Sequence, residues 1–229
     1  MNPLHLALTL ASCVPTVTQA TELKPNMTFS YFKNYNKEVV FLDLFDTKTL
    51  PKNQFAVAYI ATTYERWRPD AKDFPIDIIG NPIKGWDKEF WTDYRSKKLR
   101  EIILKRIMLA KEKGFNAVDF DNVDGHLNDS GFKLTKDDQL DFVKFLSEKV
   151  HARGMKIGLK NSAETASSLK PYFDFVVIEE CEKYKECGKY SSFQIQFPIE
   201  YTAKSDALCK KHPNIVFGNK DLSKQEFCR

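Results

Sequence analysis

The sequence lacks every feature that would divide it into several domains. Its 229 residues contain no internal repeat, no low-complexity tract and no linker rich in proline, glycine and serine. With 42% hydrophobic and 29% charged residues, the chain has enough apolar side chains for one hydrophobic core. We therefore predict a single globular domain over residues 21–229.

Concentrated positive charge and long apolar runs are also missing. The net charge is +4, and the lysines and arginines are scattered rather than gathered into a stripe with interleaved aromatic residues. Nucleic acid is therefore not a predicted partner. Beyond residue 20, no segment is apolar over the length that a bilayer requires, so no membrane span is predicted. We expect the protein to act as a monomer.

The first twenty residues, MNPLHLALTLASCVPTVTQA, contain no charged side chain. They have an apolar centre and end in Thr18-Gln19-Ala20, which resembles the small-residue pattern of a signal-peptide cleavage site. The apolar stretch is too short for a membrane anchor, although the positively charged start of many signal peptides is missing. We predict that residues 1–20 are a secretory signal peptide and that the mature protein is extracellular.

Secretion changes the interpretation of the cysteines, of which four follow the predicted signal: Cys181, Cys187, Cys209 and Cys228. An even number in an oxidising compartment indicates two disulfides, and four cysteines allow three pairings. We favour Cys181–Cys187 and Cys209–Cys228, because each closes a local loop. The spacings match no zinc motif and His212 is the only histidine nearby, so no metal site is predicted.

Strand-like apolar runs alternate with helical patterns along the mature chain. One helix is predicted over 97–112, where Gly114 ends it, and another begins at the capping pair Thr135 and Asp138 and ends before Gly154. Counting a weak strand near 76–79, the alternation gives about eight strands. The predicted strands lie at 39–45, 55–60, 76–79, 117–121, 155–159, 173–178, 193–197 and 215–217.

This alternation predicts an α/β fold with a parallel sheet and helices outside it. Eight strands favour a (β/α)8 TIM-like barrel, with a doubly wound open sheet as the alternative. The chain is short for a barrel, so some helices must be reduced. Residues 61–96 and the segment after Gly218 are the helix-poor regions.

Several predicted strands end in polar residues, and this pattern points to a site. In barrels, active sites are built at the carboxyl ends of the strands from residues of different strands. Along 117–121, the alternation of a strand places Asp119 and Asp121 on one face. The polar strand ends are Asp43; Glu65 and Arg66; Asp119 and Asp121; Lys160 and Asn161; Glu179 and Glu180; and Glu200 and Tyr201.

Carboxylates from different strands, with no histidine or nucleophilic serine motif, suit glycoside hydrolysis. One acid protonates the leaving oxygen, and the other attacks the anomeric carbon or activates water. Tyr59, Trp67 and Trp86 lie in or near loops that follow the second and third strands, where sugar rings can stack on them. The segment 121–125, DNVDG, is alternatively a simple turn, since Asp, Asn and Gly favour turns.

Seven motifs occur in the order found in a known family. They are YERWRPD at 64–70, GW at 85–86, EFWTD at 89–93, GFNAVDFDNVDG at 114–125, HARG at 151–154, GLKN at 158–161 and EECEKYKEC at 179–187. Over residues 41–201 the chain resembles the endo-α-1,4-polygalactosaminidases, glycoside hydrolase family 114. The resemblance implies a TIM-like barrel, secretion, no cofactor, and cleavage within α-1,4-linked galactosamine polysaccharides. It also implies Asp121 as nucleophile and Glu179 as acid/base.

A cationic galactosaminan would be attracted to an acidic barrel mouth. Glu180, beside Glu179, is expected to raise the pKa of that acid by like-charge repulsion. Two alternatives remain open: a secreted glycan-binding protein on a catalytically degenerate barrel, and a glycosidase for another α-linked sugar. The predicted substrate contacts are Asp43, Tyr59, Arg66, Trp86, Asp119, Asn122, Lys160, Asn161, Glu180, Glu200 and Tyr201.

Overall fold

The computed structural model describes residues 22–228, so the predicted signal peptide lies outside the described residues. The strands in this range are β1 Phe29–Tyr31, β2 Val39–Asp43, β3 Phe55–Ala61, β4 Tyr64–Glu65, β5 Ile79–Pro82, β6 Glu89–Thr92, β7 Ala117–Asp121, β8 Lys156–Lys160, β9 Phe175–Glu179, β10 Gln196–Glu200, β11 Val216–Gly218 and β12 Gln225–Phe227. The α-helices are α1 Lys97–Glu112, α2 Lys136–His151, α3 Ala166–Leu169, α4 Cys181–Tyr184 and α5 Asp206–Lys211.

One large sheet carries the fold, with strand order β1-β2-β3-β7-β8-β9-β10-β11-β12. All neighbours in it are parallel except β11 and β12. The side chain of Gln225 on β12 then bridges to β1, because it accepts from Tyr31 N at 3.0 Å and donates to Tyr31 O at 2.6 Å. The sheet is thus nearly closed, and the predicted TIM-like barrel is confirmed.

The predicted barrel strand at 76–79 is wrong. Ile76–Ile78 form a short 3₁₀ turn, and Ile79–Pro82 belongs to a separate three-stranded sheet of order β4-β6-β5. The eighth parallel strand is instead β1, which pairs with β2. At three residues, β1 is too short to give a recognisable hydrophobic period.

The two long helices have the predicted bounds. On α1, Leu99, Ile102, Ile103, Ile107 and Ala110 are buried, and Gly114 follows with a left-handed φ of +88°. α2 begins with the predicted reciprocal capping box. The predicted helix-poor segments, residues 61–96 and 219–228, contain no α-helix, and neither do the β1–β2 and β2–β3 connections, residues 32–38 and 44–54.

The alternation of side chains divides the core into two layers. Ala117 packs inside the barrel, whereas Val118 and Phe120 on the same strand pack against the helices. The barrel interior is filled with aromatic rings, and the centroids of Phe175 and Phe197 are 5.6 Å apart. Gly158 is required beside them, since a Cβ there would lie 2.1 Å from the Phe175 ring. This packed floor leaves room for a site only at the barrel mouth.

Both predicted disulfides are present, one between Cys181 and Cys187 and the other between Cys209 and Cys228. The first closes the loop that follows β9, and the second ties α5 to the segment after β12. Over residues 22–228, the helices are all too short or too polar to cross a membrane.

Candidate active site

The carboxyl ends of three neighbouring strands bring Asp121, Lys160 and Glu179 together. They end β7, β8 and β9, and β8 is the middle strand. Lys160 Nζ lies 2.9 Å from Asp121 Oδ2 and 2.7 Å from Glu179 Oε2. Those two oxygens are therefore at most 5.6 Å apart, the sum of the two distances. The ammonium group bridges the predicted catalytic pair, and the Lys160 side chain is 8% exposed.

The residue after each of these strands turns the chain sharply. Asn122, Asn161 and Glu180 have left-handed φ values of 62°, 55° and 56°. Asparagine tolerates this conformation because its short side chain bonds to the nearby backbone. Asn161 Oδ1 accepts from Glu179 N at 2.9 Å, and Asn161 Nδ2 donates to Glu179 Oε2 at 2.8 Å. The turn thus orients the carboxylate beside it.

A tyrosine hydroxyl also donates a hydrogen bond to each carboxylate. Tyr59 Oη donates to Asp121 Oδ2 at 2.9 Å, and Tyr201 Oη donates to Glu179 Oε1. The backbone N–H of Asn122 also donates to Asp121 Oδ1 at 2.9 Å. Each carboxylate therefore has a cation and at least one further donor fixing its position before substrate arrives.

This environment favours the ionised form of Glu179. Burial by itself raises the pKa of its carboxyl, but Lys160, Tyr201 and Asn161 outweigh burial and lower the pKa below the ordinary value. The expected increase caused by Glu180 is wrong. Glu180 Oε1 is paired with Lys183 Nζ at 2.6 Å, which partly neutralises its charge.

An open cleft of about 630 Å³ lies over the pair. Trp67 and Trp86 line it with side chains that are each 53% exposed, so both can stack on sugar rings. A side cleft of about 430 Å³ shares Trp86 and Tyr201 with it and includes Glu180. The predicted residues that line the main cleft are Asp43, Tyr59, Trp86, Asp121, Asn122, Lys160, Asn161, Glu179 and Tyr201.

Three predicted substrate contacts are not part of the cleft surface. Asp119 is fully buried, its Oδ2 accepts from Tyr31 Oη at 2.6 Å, and burial raises its pKa to about 7. Glu200 is 4% exposed and accepts from Glu182 N at 2.8 Å. Arg66 is exposed but does not line either cleft, and its guanidinium packs over an aromatic ring instead. Each is too deep or turned away from the barrel mouth.

Arg68, and not the predicted Arg66, lines the cleft. Its guanidinium pairs with both oxygens of Asp43, at 2.8 and 2.6 Å, and with Glu65 Oε1 at 2.8 Å. The motif YERWR contains two arginines two residues apart, and no local signal distinguishes them. Glu65 and Glu89 also line the cleft and were not predicted as contacts.

The described residues bring three potential metal ligands together in Cys181, Glu182 and Cys187. The two cysteines form a disulfide, so neither offers a thiolate to a metal ion. This group therefore does not fit a metal centre.

The chain is similar to several known glycoside hydrolases. The profile of glycoside-hydrolase family GH114 matches residues 13–228. The structure of Ega3 from Aspergillus fumigatus in complex with galactosamine is 28% identical, with a TM-score of 0.82, and the match covers 92% of this chain and 98% of Ega3. No curated protein sequence matches significantly.

Two bacterial structures share the fold at lower identity. The glycoside hydrolase domain of PelA from Pseudomonas aeruginosa is 12% identical, with a TM-score of 0.64 and coverage of 87% and 97%. That of PgaB (BpsB) from Bordetella bronchiseptica is 8% identical, with a TM-score of 0.52 and coverage of 86% and 95%. With the family profile spanning nearly the whole chain and the carboxylate pair in place at the barrel mouth, this protein belongs to glycoside hydrolase family GH114 and is a glycoside hydrolase.

Proposed function

We propose that this protein is a secreted, endo-acting hydrolase of α-1,4-linked, galactosamine-containing polysaccharides. The observation that carries the proposal is the pair Asp121 and Glu179, bridged by Lys160 beneath an open cleft. The likeness to Ega3, whose structure contains galactosamine, supports the substrate class. A cleft open at the barrel mouth suits attack within a polymer, since a chain can continue past both sides of the cleaved bond.

The separation of the two carboxylates supports a retaining mechanism. Retaining enzymes have carboxyl groups about 5–5.5 Å apart, whereas inverting enzymes need about 6.5–9.5 Å to admit a water molecule. The Asp121 and Glu179 oxygens that share Lys160 are at most 5.6 Å apart, the sum of 2.9 and 2.7 Å. This separation is too short for the inverting arrangement and favours direct attack on a sugar bound in the cleft above the pair.

In this mechanism Asp121 Oδ attacks the anomeric carbon while Glu179 gives its proton to the departing glycosidic oxygen. The resulting ester on Asp121 is neutral, so Lys160 then stabilises the ionised Glu179 alone. Glu179 removes a proton from water, and the hydroxide formed releases the sugar and restores Asp121. Because Glu179 must carry a proton in the first step and its pKa is lowered in the free protein, activity is favoured on the acid side of neutrality.

The test uses the isosteric variants Asp121→Asn and Glu179→Gln with partly deacetylated α-1,4-galactosaminan. Each is expected to lower the rate of depolymerisation by about 10³-fold or more, because general acid–base and nucleophilic groups contribute on that scale. Glu112→Gln removes an exposed carboxylate from the end of α1 and serves as the control. Circular dichroism establishes that the variants are folded.

Mass spectrometry and proton NMR of the products complete the test. Internal cleavage gives a distribution of oligomers at early times, and retention gives the α-anomer as the first product. Near wild-type activity in either variant would disprove the assignment of that residue. Secretion is tested separately, by finding whether the N-terminus of the secreted protein is Thr21.

A further inference from the structure

The chain contains two Asn-x-Ser/Thr sequons, and the proposed hydrolysis uses neither of them. They are Asn26-Met27-Thr28 and Asn128-Asp129-Ser130. This pattern is the acceptor of N-linked glycans in secreted proteins, where the modified asparagine lies in a surface loop. Because so short a pattern also occurs by chance, the place of each asparagine in the fold decides whether a glycan is compatible with it.

Asn26 lies in an exposed turn at the amino end of the barrel. The chain turns at Pro25 and Asn26, and Asn26 has a left-handed φ of 59°. A proline followed by an asparagine with positive φ is typical of a type II β-turn. β1 begins shortly after this turn, at Phe29, and runs parallel to β2. Asn26 is therefore on the face of the barrel opposite the mouth.

The residues around Asn26 attach this turn firmly to the barrel. Leu23 and Met27 are 8% and 5% exposed and pack against the core inside the barrel. Met27 O accepts from Asn214 Nδ2 at 3.2 Å, and Thr28 Oγ1 donates to Glu38 Oε2 at 2.8 Å. Asn26 itself is exposed between these anchors. A glycan on it would therefore require no buried group to move.

A small polar cleft of about 170 Å³ lies beside Asn26. Its lining also includes Gln194, Gln196, Lys211, His212 and Asn214. The first sugar of an N-linked glycan is N-acetylglucosamine, and its hydroxyl and acetamide groups can form hydrogen bonds with amide and ammonium side chains such as these. The cleft thus offers the first sugar a polar surface to lie on.

The second sequon is at the other end of the barrel. Asn128 lies in the connection between β7 and α2, on the side of the mouth, and its Nδ2 donates to Asp124 O at 3.1 Å. Ser130 of the same sequon is 1% exposed. Asp124 and Leu127 line the side cleft, so a glycan on Asn128 would stand beside the surface over which the polymer passes. The fold therefore favours the first sequon over the second.

We propose that Asn26 carries an N-linked glycan in the secreted protein and that Asn128 does not. The inference rests on the secretion that is part of the proposed function. In the transfer, Asn26 Nδ2 loses one proton and forms a bond to C1 of an oligosaccharide carried on a lipid diphosphate. The bond between C1 and the phosphate oxygen breaks, and the lipid diphosphate leaves. The glycan covers the amino end of the barrel and leaves the mouth free.

Secretion of the full chain from a yeast host, with its own residues 1–20, tests this inference. Peptide N-glycosidase converts a glycosylated asparagine to aspartate, and mass spectrometry of tryptic peptides then locates the change. We expect it at Asn26 in the wild type, complete loss of the glycan in Asn26→Gln and Thr28→Ala, and retention in Thr28→Ser, which keeps the sequon. Asn128→Gln is the matched control and should keep the wild-type glycan. Hydrolysis by Asn26→Gln should equal that of wild type, because the mouth is at the other end.

The outcomes separate this inference from the proposed function. An unmodified Asn26 in the secreted wild type would overturn it, and so would a glycan on Asn128. If Asn26 is glycosylated but the protein cleaves no galactosaminan, the proposed activity fails and the inference stands. A chain that stays in the cell contradicts the proposed secretion, and the same mapping on a chain with the host's own leader then decides for Asn26. Should Asn26→Gln not fold, the wild-type peptides and Thr28→Ser decide without it.

Discussion

Lys160 holds two carboxylates together, so its removal is the sharpest perturbation of the site. In Lys160→Met, a side chain of similar length remains, but the ammonium that bonds Asp121 at 2.9 Å and Glu179 at 2.7 Å is lost. Removing one partner of a buried ion pair costs about 3–5 kcal/mol of the free energy of unfolding. For a chain of this size, 1 kcal/mol shifts Tm by about 2–4 °C, so Tm should fall by about 6–20 °C.

The pH dependence of that loss identifies its cause. Lys160 helps to lower the pKa of Glu179 below the value of an unfolded chain, about 4.3. A group with a lowered folded pKa contributes stability above its unfolded pKa and loses that contribution as the pH falls through the folded value. The difference in stability between wild type and Lys160→Met should therefore be largest near pH 7 and shrink below about pH 4.

Urea denaturation followed by tryptophan fluorescence at pH 7 and pH 3.5 measures this difference. Lys98→Met is the control. The Lys98 side chain is 48% exposed, so its ion pair with Glu101 should contribute about 1 kcal/mol or less to the free energy of unfolding. We also expect hydrolysis to fall about 10²-fold, since the two carboxylates lose their common anchor. A Lys160→Met variant as stable as wild type at pH 7, or a deficit independent of pH, would refute the reasoning.

Three further predictions follow from the site and the barrel. The kcat/KM for hydrolysis should rise as the pH falls from 7 to 5, because Glu179 must be protonated and its pKa is lowered; a rate that increases towards pH 8 would contradict its role as the acid. Gly158→Ala should lower the free energy of unfolding by about 1–3 kcal/mol through overpacking, whereas Gly188→Ala, with nothing within 4 Å, should not; equal urea midpoints would count against the packing argument. Replacing Cys209 and Cys228 together by serine opens a loop of 19 residues and should lower the free energy of unfolding by about 3 kcal/mol. An unchanged Tm would contradict the expectation that this disulfide stabilises the fold by restricting the unfolded chain.

The local sequence pattern was sufficient to predict the elements that are long enough to show a hydrophobic period. The bounds of α1 and β7 could be predicted from the sequence, as could the capping box of α2, because each depends on residues within a few positions of one another. The strand β1 could not be predicted. It is held by pairing with β2 and by Gln225, which is 194 positions from Tyr31 in the sequence.

The alternation of side chains along a strand shows which face a residue is on, but not how deep in the barrel it lies. Asp119 and Asp121 share one face of β7, as the sequence predicts, yet the first is fully buried under Tyr31 and the second lines the cleft. They differ by one repeat of the pleat, roughly 7 Å along the strand. Only the nearly closed sheet fixes where the packed floor ends and the solvent begins.

The sequence by itself determined the family, the barrel and the strand ends that carry the two carboxylates, because short motifs and hydrophobic periods are local. Only the tertiary structure decided which charges meet. It paired Lys160 with both Asp121 and Glu179. It also placed Glu89, from a separate small sheet, where no cationic side chain of residues 22–228 lies within 4.0 Å of its carboxylate. The physical reason is that charge compensation depends on distances of a few ångströms between residues far apart in the chain.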